Sequence, residues 1–302
     1  MTDSFDVLLI AAAARRHEAE EAVTLAGGRV VAVLDWAETA SLMTQSFGRP
    51  VLALEAEGVP DDRLAAALPD VRAMAETLEL PVVATLARPQ IDAVAGALLG
   101  LNVELLCEPG YGEWVGALAV AGRRAQGAGD RWREGEAERL KRLNEEVARI
   151  AETLARLVDR ERGGGGAPPD DAVGDRHLAF GFAPPQEDVD PHVIRQAIRG
   201  RRMRDGFFGE ELFGDPAWDM LLDLYAAHLE GGRVSVSSLC IAAAVAPTTA
   251  LRWIARLTET GVFERRADAA DRRRAFLTLS DRTLAGMNGY VAAMRRAGLP
   301  FA

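Results

Sequence analysis

Two groups of residues have types and spacings suited to chemistry. The first is basic: Thr248, Thr249, Arg252 and Arg256 fall in one short stretch, and Asp271, Arg272, Arg273 and Arg274 follow closely. Guanidinium groups donate charge-assisted, often bidentate hydrogen bonds to phosphate oxygens and to base edges. That is recognition chemistry, not bond making; a solvated hairpin tip is the alternative for the arginines at 272–274. The second group is acidic, with Glu55 and Glu108 each closing an apolar run. Hard cations need several oxygen ligands, yet the first apolar run leads into Ala11, Ala12, Ala13 and Ala14, which offer none.

Other catalytic or metal chemistry lacks a pattern. His17, His177, His192 and His228 sit in unrelated contexts with no nucleophile motif nearby. Cys107 and Cys240 are far apart without CxxC or His-rich spacing, so they read as small core residues and not as a disulfide or zinc site. We therefore expect no enzyme activity, no metal and no cofactor.

The charge is uneven. The whole chain carries a net -10, but residues 191–302 hold 16 Arg against 12 Asp plus Glu, a net of +4, and residues 1–190 hold 19 basic and 33 acidic residues, a net of -14. Phosphate binding requires neutralising cations, so the C-terminal part alone suits a nucleic acid. No apolar run is long enough to span a bilayer. The opening MTDSFDVLLIAAAARRHE puts acids before a short apolar run and bases after it, the reverse of a secretory signal, so a cytoplasmic protein without membrane contact is expected.

These residues need elements to position them. DVLLIAA (6–12), RVVAVLD (29–35), PVLALEA (50–56), PVVATLA (81–87) and VELLCEP (103–109) read as strands separated by amphipathic stretches, a (βα)5 pattern that predicts a parallel sheet. In the next segment Leu140, Leu143, Val147, Ile150, Leu154 and Leu157 alternate spacings of three and four, the seam of a dimeric coiled coil; a core helix is the alternative. GGGGAPPDDAVGD (163–175) cannot pack as regular structure and reads as a flexible linker.

The C-terminal part opens with a basic helix, HVIRQAIRGRRMRDGFF, whose Arg199, Arg201, Arg202 and Arg204 suit either phosphate contacts or a solvated face. Residues 215–232 form an amphipathic helix, 234–245 a very short strand and a helix capped by Ser237 or Ser238, and 246–261 a further helix starting near Pro247. Helix, short turn, helix is the spacing of a helix-turn-helix. Val262–Arg266 and Arg274–Leu279 alternate apolar and polar residues around a charged loop, a wing. On the second helix Leu251, Ile254 and Leu257 oppose Thr248, Arg252 and Arg256.

The N-terminal pattern, with Glu108-Pro109 at its end, resembles the receiver domain of bacterial response regulators. That resemblance implies a flavodoxin-like fold with an acidic pair after the first strand, a phosphoacceptor Asp on the third, Thr or Ser on the fourth and Lys on the fifth. Here Glu55 stands at the phosphoacceptor position, Thr85 or Leu86 at the hydroxyl and Glu108 in place of the Lys, so the resemblance implies a pseudo-receiver unable to transfer phosphate. Glu55 is then either a permanent mimic of the phosphorylated state or an exposed carboxylate left from lost chemistry. Tyr111 and Trp114 mark a surface for a protein partner, or else pack internally.

The C-terminal order, closed by Asp271-Arg272-Arg273 before AFLTLS, resembles MarR-type winged-helix regulators. The resemblance places the second helix in the major groove with Thr248, Thr249 and Arg252 near its start and Arg256 on the backbone. It also places Arg273 in the minor groove, oriented by Asp271, with Arg272 and Arg274 on phosphates. The expected architecture is multidomain: an α/β receiver-like domain (1–126), a coiled-coil dimerisation helix (127–162), a linker (163–190) and an α+β winged-helix domain (191–302). The expected function is a homodimeric regulator reading double-stranded DNA, with a protein-docking adaptor as the alternative.

Overall fold

The computed structural model describes residues 4–40, 49–126, 189–208, 214–268 and 275–299. The seam Leu140–Leu157, the glycine-rich stretch and Asp271, Arg272, Arg273 and Arg274 lie outside the described residues.

The apolar runs of the N-terminal half become β1 (Phe5–Ala11), β2 (Gly28–Leu34), β3 (Val51–Glu55), β4 (Val82–Leu86) and β5 (Val103–Cys107). They form one parallel sheet in the order β2-β1-β3-β4-β5. This is one of the common doubly wound orders, with both faces covered. Side chains alternate accordingly. Val7, Leu9 and Ala11 pack on one face with α1 (Arg16–Leu25) and α4 (residues 111–126), whereas Leu8 and Ile10 face α2 (Asp61–Thr77) and α3 (Ile91–Leu98). Gly122 lets α4 approach β1: a Cβ there would fall 2.3 Å from the Phe5 ring.

The C-terminal half runs α5 (Pro191–Met203), α6 (Asp205–Phe208), α7 (Pro216–Leu229), β6 (Val234–Ser235), α8 (Val236–Ala242), α9 (Pro247–Glu259), β7 (Phe263–Ala267), β8 (Ala275–Leu279) and α10 (Asp281–Arg296). Asp190, Asp215, Ser235 and Ser280 cap α5, α7, α8 and α10 by accepting backbone N–H groups left free at helix starts. Strands β6, β8 and β7 make an antiparallel sheet in that order.

The described residues on either side of 127–188 pack as one compact unit. The core on the α2–α3 face of the parallel sheet continues without a break through Leu239, Cys240, Leu251, Ile254, Phe263 and Leu277 of the C-terminal half. Among the described residues no single helix is long and apolar enough to cross a membrane.

Candidate nucleic-acid interface

Helix α8 starts at Ser235, whose Oγ accepts from the Ser238 amide at 3.2 Å, and not at Ser237 or Ser238 as the sequence suggests. Ser237 is engaged elsewhere: its amide and hydroxyl donate to the two carboxylate oxygens of Asp92 at 2.8 and 2.7 Å. Val236, Leu239 and Cys240 turn inward. The turn that follows carries Ala244 at a φ of 50°, a left-handed conformation, and Pro247 opens α9 where its missing N–H costs nothing. The axes of α8 and α9 bend by 112°, within the range of a helix-turn-helix pair. Ala250, Leu251 and Ile254 are fully buried and anchor α9, while β7 and β8 follow it as a two-stranded hairpin.

The candidate recognition residues on α9 have unequal surroundings. Thr248 is buried, with its hydroxyl accepting from the Cys107 amide at 3.0 Å and donating to the Cys107 carbonyl at 3.3 Å. The helical pattern sorts Thr248 with the outward residues, but the end of β5 covers it. Arg252 donates through Nε to Glu104 and through Nη2 to Glu113 at 3.3 Å; 45% of its side chain stays exposed. Thr249 is half-buried beside a cavity of about 610 Å³ bordered by Arg202 and Asp205. Arg256 is exposed, its guanidinium 5.7 Å from the Trp253 ring centroid, a cation–π distance. Around this junction Leu251 and Ala255 face Leu101, Val103 and Leu105 across a groove of about 450 Å³.

Within the basic helix α5, Arg201 donates to Asp219 at 2.8 Å and Arg202 to the Ala242 carbonyl, so these two brace the fold. Arg195 does the same, bridging Asp223 at 2.6 Å and Glu230 at 2.8 Å.

At the other candidate site, Glu55 ends β3 and is fully buried rather than exposed. Arg15 Nε lies 3.4 Å from its Oε1, the Thr85 hydroxyl lies 3.5 Å from the same oxygen, and Oε2 has no hydrogen-bond partner. Trp36 closes the corner by donating from Nε1 to the Glu55 carbonyl at 2.8 Å. Burial pushes the Glu55 carboxyl up to about 7, against the pull of Arg15 and with help from nearby Glu57. Glu108 does not share this crevice: its carboxylate accepts from Arg88 at 3.1 Å on the surface. A cation therefore reaches the corner from the residues after β1, where a metal-binding receiver carries acids.

Trp114 is buried in the core and Tyr111 is partly exposed, so the packing alternative holds for the tryptophan. Cys107 and Cys240 are buried free thiols, pushed by burial up to about 11 and about 12. Sequence reasoning missed Arg15 and the carboxylates Asp92, Glu104 and Glu113. Arg15-Arg16 directly after the alanine run was a usable signal for the first. Nothing local signals the others, whose partners lie 139 to 148 residues away.

No family model matches the chain, and no curated protein matches it. Among solved structures, the chain is similar to BpsR of Bordetella bronchiseptica, described in a study of how 6-hydroxynicotinic acid regulates its DNA binding. The two share 18% identity over 41% of this chain and 83% of that chain, with a TM-score of 0.22. At that score the superposition does not define a shared fold.

Proposed function

We propose that the chain is a sequence-specific DNA-binding transcription regulator whose winged helix-turn-helix reads the duplex, acting as a homodimer through the heptad seam at Leu140–Leu157. The observation that carries this reading is the α8–α9 pair, bent by 112° and followed by the β7–β8 hairpin. That order of elements supports a MarR-like module with α9 as the helix for the major groove and the loop between β7 and β8 as the wing. The excess of arginine over acid after residue 191 agrees with it. The α/β half serves as a receiver-like domain that makes protein contacts without phosphoryl transfer, since Glu55 is fully buried and the residues after β1 bring it Arg15 instead of the further oxygen ligands that a hard cation needs. No catalytic role and no cofactor enter this reading, and the protein works in the cytoplasm.

The test is titration of the full chain with fluorescent duplex fragments from its own genome. Tight binding that weakens steeply with salt is expected, and Arg273→Ala lowers the affinity without unfolding the protein. Absence of binding even at low salt, both in the wild type and in a variant whose Arg252 partners Glu104 and Glu113 are changed to Gln, rejects the reading.

A second reading, a protein-docking adaptor, is favoured by one observation: Thr248 and Arg252 already bind protein groups. An adaptor keeps its activity when Arg273 and Arg256 become Ala, whereas a DNA reader loses it.

A further inference from the structure

A helix can enter the major groove, about 12 Å wide, only if the face that carries its reading side chains is free. In α9 part of that face is occupied from within the chain. Glu104 of β5 and Glu113 of α4 take the Arg252 guanidinium, offering two carboxylates where DNA would offer phosphate or a guanine edge. The Cys107 peptide engages the Thr248 hydroxyl as both donor and acceptor. Asp92 of α3 holds the start of α8 through Ser237. These contacts come from three different elements of the α/β half and converge on one helix-turn-helix. They engage two of the α9 residues that the sequence singles out for DNA, Thr248 and Arg252, and not Thr249 or Arg256.

We infer that the α/β half is an intramolecular inhibitor of the winged half, with Glu104 and Glu113 acting as an acidic decoy that holds α9 away from DNA until the junction opens. This inference rests on the DNA-binding reading above. The charge division fits it: the half that supplies the decoy is strongly acidic, and the half that is held is basic. The contact is suited to reversal, because Arg252, Glu104 and Glu113 each keep part of their side chain in water, where ion pairs are weak and screened by salt. A partner that captures β5 and α4, or a ligand that separates Glu104 from Arg252, would release the reading helix.

The experiment compares the full-length protein with Glu104→Gln/Glu113→Gln, which leaves every arginine in place. A charge-matched control, Asp61→Asn/Asp62→Asn, removes the same charge from the exposed first turn of α2, away from the junction. Affinity for a fluorescent duplex of mixed sequence is measured at low ionic strength, and amide hydrogen exchange is followed in α9. The junction variant is expected to bind up to about fivefold tighter than the wild type, the most that losing half-exposed ion pairs can release, with faster exchange in α9. The control is expected to match the wild type in both readouts. If the wild type binds DNA and either α9 exchange is unchanged or the junction variant binds no tighter than the control, the decoy is overturned while the DNA-binding reading stands on the wild-type affinity. If α9 exchanges faster and neither protein binds DNA, the DNA-binding reading fails and the inhibitor falls with it.

Discussion

The strand-end corner and the α9 junction each pair a carboxylate with an arginine, but water reaches them differently. At the corner, Glu55 has no exposed surface and one oxygen without a partner. At the junction, Arg252 keeps nearly half of its side chain exposed while two carboxylates share it. The same two residue types therefore answer to different variables. The enclosed pair responds to pH, because burial penalises the ionised carboxyl, and the wet pair responds to ionic strength.

That contrast can be tested by breaking each side. The largest effect is expected from the apolar anchor beneath the wet pair: Ile254→Ala leaves a cavity and costs about 2 to 5 kcal/mol in thermal or denaturant unfolding. A loss below that range would mean that polar contacts, not packing, hold α9. Next comes the enclosed carboxyl. Its rise from 4.5 to about 7 corresponds to a penalty of about 3 kcal/mol for ionised Glu55. Because the folded form keeps the proton while the unfolded chain gives it up, stability falls as pH climbs from 4.5 to about 7 and stays low above that. Glu55→Gln is therefore expected to raise the melting temperature at pH 8 and to change it little at pH 4. A variant that melts at the wild-type temperature at both pH values would show that Glu55 is not enclosed in solution.

Smaller still is Thr248→Val, which strands the Cys107 amide at the end of β5 and costs about 1 to 3 kcal/mol. The smallest is Arg252→Ala, whose exposed pairs contribute less than about 1 kcal/mol and shrink with added salt. Were Arg252→Ala to cost more than Thr248→Val, with no dependence on salt, the distinction between the two regions would collapse.

What the sequence could disclose followed the range of the interaction. The strands of the parallel sheet are legible because each is a run of apolar and β-branched residues bounded by Pro, Gly or charge, and the structure places all of them within two residues of the expected bounds. The α8–α9 pair is legible from its apolar spacing and from Pro247. The cap of α8 is not, because Ser235, Ser237 and Ser238 are locally equivalent and the choice depends on Asp92, far away in the chain. Thr248 shows the same limit. A helical pattern separates polar from apolar positions, but it cannot separate a hydroxyl facing water from one facing another strand's peptide. Glu55 reads as a solvated strand end for a similar reason: its cover, Arg15 and Trp36, comes from loops after two other strands.

The unbroken core joining the two halves has a thermal consequence. Parting α9 from β5 wets apolar surface around Leu105 and Leu251 as well as separating charges. Wetting apolar surface raises the heat capacity, and the association that resists it weakens on cooling. The grip between the halves therefore loosens on cooling, so low temperature and high salt push the junction in the same direction by unrelated routes.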